Sequence, residues 1–180
     1  VLARHASLRY QLRRARHKGV TVRRVSAAEI RAEGSAVRRD VQALVAAWLD
    51  TRPLAPMGFL VELELFEHAD ERLYLVAEQA GRVVGFLGAV PVYARNGWLL
   101  EDLLRAPHAP NGTAELLVDA AMTIAADEGC AYVTLGLAPL SGDVSKSLRV
   151  ARYLSRPLFD FQGLRAFKAK PAAYLPQFGG

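Results

Sequence analysis

Apolar residues recur at Leu8, Leu12 and Ala15 between arginines, a spacing that predicts an N-terminal helix with a narrow buried stripe. Val20 to Val25 alternates as a strand does, and Val41, Leu44, Val45 and Trp48 mark a helix over Asp40 to Leu49, ended by the proline-containing stretch 51–56. Leu73 to Ala77 and Val83 to Tyr93 read as strands joined at Gln79-Ala80-Gly81-Arg82, an antiparallel hairpin signal. Another strand follows Asn96-Gly97 and runs into a Pro/Asn/Gly turn. The helix predicted next, Thr113 to Glu128, turns Leu116, Leu117, Ala120, Ala121, Ile124 and Ala125 inward and Glu115, Asp119, Thr123 and Asp127 to the opposite face. Gly129 suits its C′ position. Tyr132 to Gly142 reads as a buried strand that breaks at Pro139, Val144 to Arg156 as a helix, and Phe159 to Lys168 as closing strand material. The fold class is therefore α/β (α+β): a mixed, mostly antiparallel sheet flanked by helices, with a basic helix at its start.

Composition changes the picture in two places. The chain has 180 residues, 52% of them hydrophobic, which suits one core and one domain. Its longest run without a charged residue, Gly129 to Gly142, is shorter than the roughly 18 residues that a membrane-spanning helix requires. No secretory leader pattern is present and the first residue is not methionine, so a preceding part of a longer protein is expected. Cys130 is the only cysteine, which excludes an internal disulfide, and it reads as a small buried hydrophobe.

Charge is placed unevenly. Val1 to Arg24 holds eight basic residues and no acidic one, while the rest of the chain is slightly acidic. We therefore divide the chain into a basic N-terminal linker helix, 1–19, and a single domain, 20–180. Arginines around a narrow apolar stripe suit a polyanion such as nucleic acid or anionic headgroups; a solvated helix face is the plain alternative. The four histidines, His5, His17, His68 and His108, lack ligand spacing, so no metal is expected. Glu62 and Glu64 lie on an alternating tract where solvent-facing carboxylates are the simplest reading.

The segment Leu99 to Glu115, LLEDLLRAPHAPNGTAE, carries the candidate chemistry. A glycine-containing turn ahead of a helix N-terminus can receive a phosphate or carboxylate, because the first N–H groups lack partners and carry partial positive charge. Asp102 and Arg105 stand just upstream. Residues three apart on an ideal strand face opposite sides, so joint action needs a bulge or a strand end between them.

The tracts EDLLRAPHAPNG (101–112), GLAPLSG (136–142) and FQGLRAFKAK (161–170), in this order and spacing, resemble the C-terminal soluble domain of aminoacyl-phosphatidylglycerol synthases, the phosphatidylglycerol lysyltransferase type. The resemblance covers Leu8 to Lys170 and implies the GCN5-related acetyltransferase (GNAT) fold, consistent with the predicted element order. It implies transfer of an aminoacyl group from its tRNA ester to a hydroxyl of phosphatidylglycerol, with Asp102, Arg105 and Lys168 as catalytic candidates. Gly112, Thr113, Gly136, Ala138, Pro139, Ser141, Arg165 and Lys170 are the implied substrate-binding candidates. Asp102 would orient or deprotonate the attacking hydroxyl, Arg105 would hold a phosphate, and a lysine would neutralise charge developing on the carbonyl oxygen. After Lys170 the family's Phe and Trp are replaced by Pro171-Ala172-Ala173-Tyr174.

No cofactor is implied beyond aminoacyl-tRNA as co-substrate. The expected partners are that tRNA, an anionic phospholipid headgroup and the preceding part of the parent protein, and the expected location is the cytoplasmic side of the membrane, peripherally attached. The alternatives are an acyl-CoA-dependent N-acyltransferase and a non-catalytic module binding anionic lipid or RNA. The acetyltransferase loop pattern Gln/Arg-x-x-Gly-x-Gly/Ala falls on Ala109 to Ala114; Gly112 and Ala114 fit it, Ala109 does not, and Pro110 lacks a donor. Coenzyme A is expected only under the first alternative.

Overall fold

A computed structural model describes residues 6–50 and 65–135. Their elements run α1 (Ala6–His17), β1 (Thr21–Val25), α2 (Ala27–Arg31), α3 (Ala36–Asp50), β2 (Leu73–Gln79), β3 (Arg82–Val92), β4 (Gly97–Arg105), α4 (Thr113–Asp127) and β5 (Tyr132–Thr134). The strands form one sheet in sequence order. β1 to β4 pair antiparallel, while β5 pairs parallel to β4, as expected for a GNAT-like mixed sheet.

The α1 stripe behaves as its spacing requires: Leu8, Leu12 and Ala15 are its buried residues, and they join the same core as the sheet. α1 packs against α4, and α4 lies across β2, β3 and β4. The β2–β3 hairpin closes on a two-residue turn, Ala80-Gly81, with Gln79 and Arg82 as its last pair. Both turn residues have positive φ, 50° and 74°, which matches the twist of the flanking strands. α4 starts at Thr113, and Gly129 (φ 67°) follows its end. α2 was not expected; Ser26 starts it by accepting from the Glu29 N–H at 3.0 Å. α3 begins four residues earlier than the apolar spacing indicated.

Two expectations are corrected. The basic arm has counter-charges, all supplied from beyond its own helix: Arg16 pairs with Asp119 at 3.0 Å, Arg23 with Glu29 and Glu78 at 2.9 Å each, and Arg24 with Glu128 at 2.7 Å. Asp119 therefore does not face open solvent; α1 covers it, leaving its side chain 13% exposed.

Sheet register sorts the two faces. A Cβ on Gly85 would meet Thr113 and Leu117, so Gly85 and its β4 partner Arg105 face α4. Tyr74, Gly88 and Asp102 form a row across β2, β3 and β4 on the other face. There Phe66 lies against Tyr74, and Arg38 of α3 lies over the Phe66 ring at 5.1 Å.

Candidate functional site

β4 carries the site, with Asp102 and Arg105 beyond the stretch that pairs with β5 among the described residues. Pairing with β5 covers only Gly97 to Leu99, so among the described residues no strand lies beside Leu100 to Arg105 on that edge. The same stretch contains a bulge. Gly88 is opposite Asp102 but Ala89 is opposite Leu100, which leaves Glu101 as the extra residue.

The bulge has a chemical consequence. Strict alternation would send Glu101 and Asp102 to opposite faces, yet both reach one guanidinium: Arg72 Nη1 donates to Glu101 Oε2 at 3.2 Å and lies 3.7 Å from Asp102 Oδ2. Arg72 and Asp102 side chains are 14% and 12% exposed, whereas Glu101 remains 45% exposed. Asp102 lies over the bare backbone of Gly88, where a Cβ would stand 3.0 Å from Oδ2. Burial, reinforced by the neighbouring Glu101 charge and opposed by Arg72, pushes the Asp102 carboxyl up to about 6. At the β2 end of the row, Tyr74 is fully buried, stacks on Phe86 at 6.0 Å and donates its hydroxyl to Leu65 O at 2.9 Å. Burial raises the Tyr74 phenol too, with Arg72 and Asp102 acting on it in opposite directions.

Arg105 is placed differently. It is the last residue of β4, and its Nη1 donates to Ala109 O at 3.1 Å and contacts Asn111 Oδ1 at 3.4 Å, bracing the loop that leads into α4. The regular ladder from Asp102 to Arg105 keeps the two on opposite faces; the bulge falls before Asp102, not between them. They share the C-terminal part of β4.

The turn ahead of α4 is packed rather than vacant. Gly112 has φ 96°, and a Cβ there would come within 2.1 Å of Gln11 O, so its missing side chain admits the α1 backbone. Thr113 is fully buried and donates its hydroxyl to Pro110 O at 2.7 Å, so it offers no surface to a ligand in this arrangement.

The family model for the phosphatidylglycerol lysyltransferase C-terminal region matches residues 3–177. The chain belongs to this family. A bifunctional lysylphosphatidylglycerol biosynthesis protein LysX from Mycolicibacterium vanbaalenii is 36% identical over 134 residues, 73% of this chain and 12% of that protein. A phosphatidylglycerol lysyltransferase from Bacillus subtilis is 34% identical over 109 residues, 56% of this chain and again 12% of its own length. Among solved structures, L-PGS from Bacillus licheniformis superposes with a TM-score of 0.65 at 19% identity, over 92% of this chain and 51% of that one. The fold is therefore shared, and the chain spans only a small part of its curated relatives.

Within this lysyltransferase-family domain, the structure places Asp102, Arg105, Gly112 and Thr113 around one strand end. Lys168, Gly136, Ala138, Pro139, Ser141, Arg165 and Lys170 lie outside the described residues, as do Glu62, Glu64 and the elements expected after Leu135. Sequence reasoning missed Arg72 and the part Glu101 plays. The available signal was the run Glu101-Asp102, two acids in an otherwise apolar strand, which needs a cation nearby if either is to be buried. Among the described residues no three His, Cys, Asp or Glu residues group as metal ligands, and no helix is long and apolar enough to cross a membrane.

Proposed function

We propose that this domain transfers an aminoacyl group from aminoacyl-tRNA to a hydroxyl of phosphatidylglycerol, at the cytoplasmic side of the membrane. The observation that carries the reading is the Asp102 carboxyl, desolvated over Gly88 beside the β4 bulge and raised to about 6. The lipid glycerol hydroxyl attacks the aminoacyl ester carbonyl, and its proton passes to Asp102. The tetrahedral intermediate collapses with release of the terminal ribose oxygen, which takes up a proton. The new bond is an ester to the lipid, the broken one the ester to tRNA. An activated ester needs little covalent help, so orientation and charge stabilisation supply most of the acceleration. A substrate lying along the edge of β4 meets Asp102 on one face and the Arg105 fork on the other. Arg105 would hold a phosphate, and Lys168 would offset charge on the carbonyl oxygen.

The test is incubation of the full-length protein with charged tRNA and phosphatidylglycerol, followed by lipid mass spectrometry. Asp102→Asn is expected to lower product formation by about 100-fold, the scale of a lost general base. Full activity in that variant, or no aminoacylated lipid from the unaltered protein, would refute the reading. Coenzyme A is not expected to bind, because the approach to Gly112 is occupied by Gln11 O and Pro110 has no N–H to donate. Millimolar acetyl-CoA should therefore leave the melting temperature unchanged, whereas a ligand at 100 times its dissociation constant would add about 2.7 kcal/mol.

A further inference from the structure

We propose that Arg72 is a positioning residue for this reaction: from the residue just before β2 it clamps the bulge at Glu101 and holds the Asp102 carboxylate, ionised, over Gly88. The proposal rests on the reading of Asp102 as the base, and goes beyond it by saying what orients that base.

Three geometric facts support it. One guanidinium nitrogen serves two consecutive carboxylates, at 3.2 and 3.7 Å, an arrangement that only the extra residue in β4 allows. Arg72 is nearly as buried as Asp102, so their attraction is far less screened than at a surface. Gly88 leaves room for the carboxylate on the sheet, in a space that Phe86 also borders. Among the described residues the charged and titratable groups acting on Asp102 are Glu101 on its own strand, Arg72 just before β2 and Tyr74 on β2; Arg38 of α3 lies over the Phe66 ring. Two carboxylates on one cation leave a net negative cluster. Glu101 favours protonated Asp102, and Arg72 opposes that. The geometry thus makes Arg72 the residue that keeps the base available at neutral pH.

The test uses the full-length protein, following lipid product between pH 5 and 9. Arg72→Gln should move the acidic limb of kcat/KM upward by about one pH unit, because an opposite charge at this range lowers a carboxyl by that order. Activity should fall by about twofold near pH 7 and by close to tenfold near pH 5, and recover at higher pH. Arg72→Lys keeps the charge and should leave the limb in place. Glu101→Gln, at an exposed position, should move the limb downward. An unmoved limb in Arg72→Gln overturns the proposal.

A second measurement needs no turnover. With its carboxyl raised when folded, Asp102 binds its proton more tightly in the folded state, so stability falls as pH rises from the unfolded value through about 6. Arg72→Gln should extend that fall above pH 6, and Arg72→Gln with Asp102→Asn should abolish the extension. Equal melting profiles in the single and double variants would overturn the coupling. Absence of transfer by the unaltered protein would sink the function and leave this arm to decide the Arg72 contact.

Discussion

The two faces of the sheet use charge in opposite ways. On the α4 face, Arg105 braces a loop, Arg16 meets Asp119 across the α1–α4 seam, and Gly112 lets one helix approach the next. Those charges finish a packing surface. On the other face, Arg72, Glu101 and Asp102 leave a carboxyl raised to about 6 beside the β4 bulge. A buried acid held partway between its charge states does little for stability and is suited to moving a proton. Three residues along β4 separate these outcomes, and what distinguishes them is which layer each side chain enters.

The comparison is broken most directly at the α1–α4 seam. Gly112→Val would place a β-branched side chain at φ 96° and drive its Cβ into Gln11 O. Left-handed strain and overpacking together should cost about 3 kcal/mol, and the relief available is displacement of α1. Thermal unfolding should report the loss, and trypsin should cut faster at Arg13, Arg14 and Lys18. A variant as stable and as resistant as the unaltered protein would mean that α1 is not held by this contact.

Much of this architecture is legible in the sequence where the determining contacts are local. The stripe of Leu8, Leu12 and Ala15, the Ala80-Gly81 turn and the start of α4 all follow from spacing or φ requirements within a few residues. The charges of the arm were not legible, because their partners stand 55 residues or more along the chain, apart from Glu29. Nor was the bulge. Alternation shows that Asp102 and Arg105 diverge but gives no sign that the extra residue is Glu101, a choice made by the pairing of β3 with β4. Arg72 escaped for the same reason: a strand-start arginine has no signature until the strand two places along is laid beside it.

The smallest expected effect tests whether the seam is truly a packing surface. Arg16 is 58% exposed and Asp119 only 13%, so the two ends of one salt bridge stand in different surroundings. Burial raises the Asp119 carboxyl, with Arg16 opposing. Removing the cation leaves a half-buried carboxylate without its partner, whereas removing the acid leaves an arginine that water can solvate. Arg16→Gln should therefore destabilise by up to about 1 kcal/mol at pH 7, the upper range for an exposed pair. Asp119→Asn should lie within about 0.5 kcal/mol of the unaltered protein. The sign with pH follows. Without Arg16 the folded-state carboxyl moves higher still, so the deficit of Arg16→Gln should shrink as pH falls below the raised Asp119 value and grow as pH rises through it. Denaturant titrations at pH 4.5 and 7.5 measure both differences. Equal costs for the two variants, independent of pH, would show that Asp119 is as well solvated as its partner, and the contrast between the two faces would then rest on the Asp102 cluster alone.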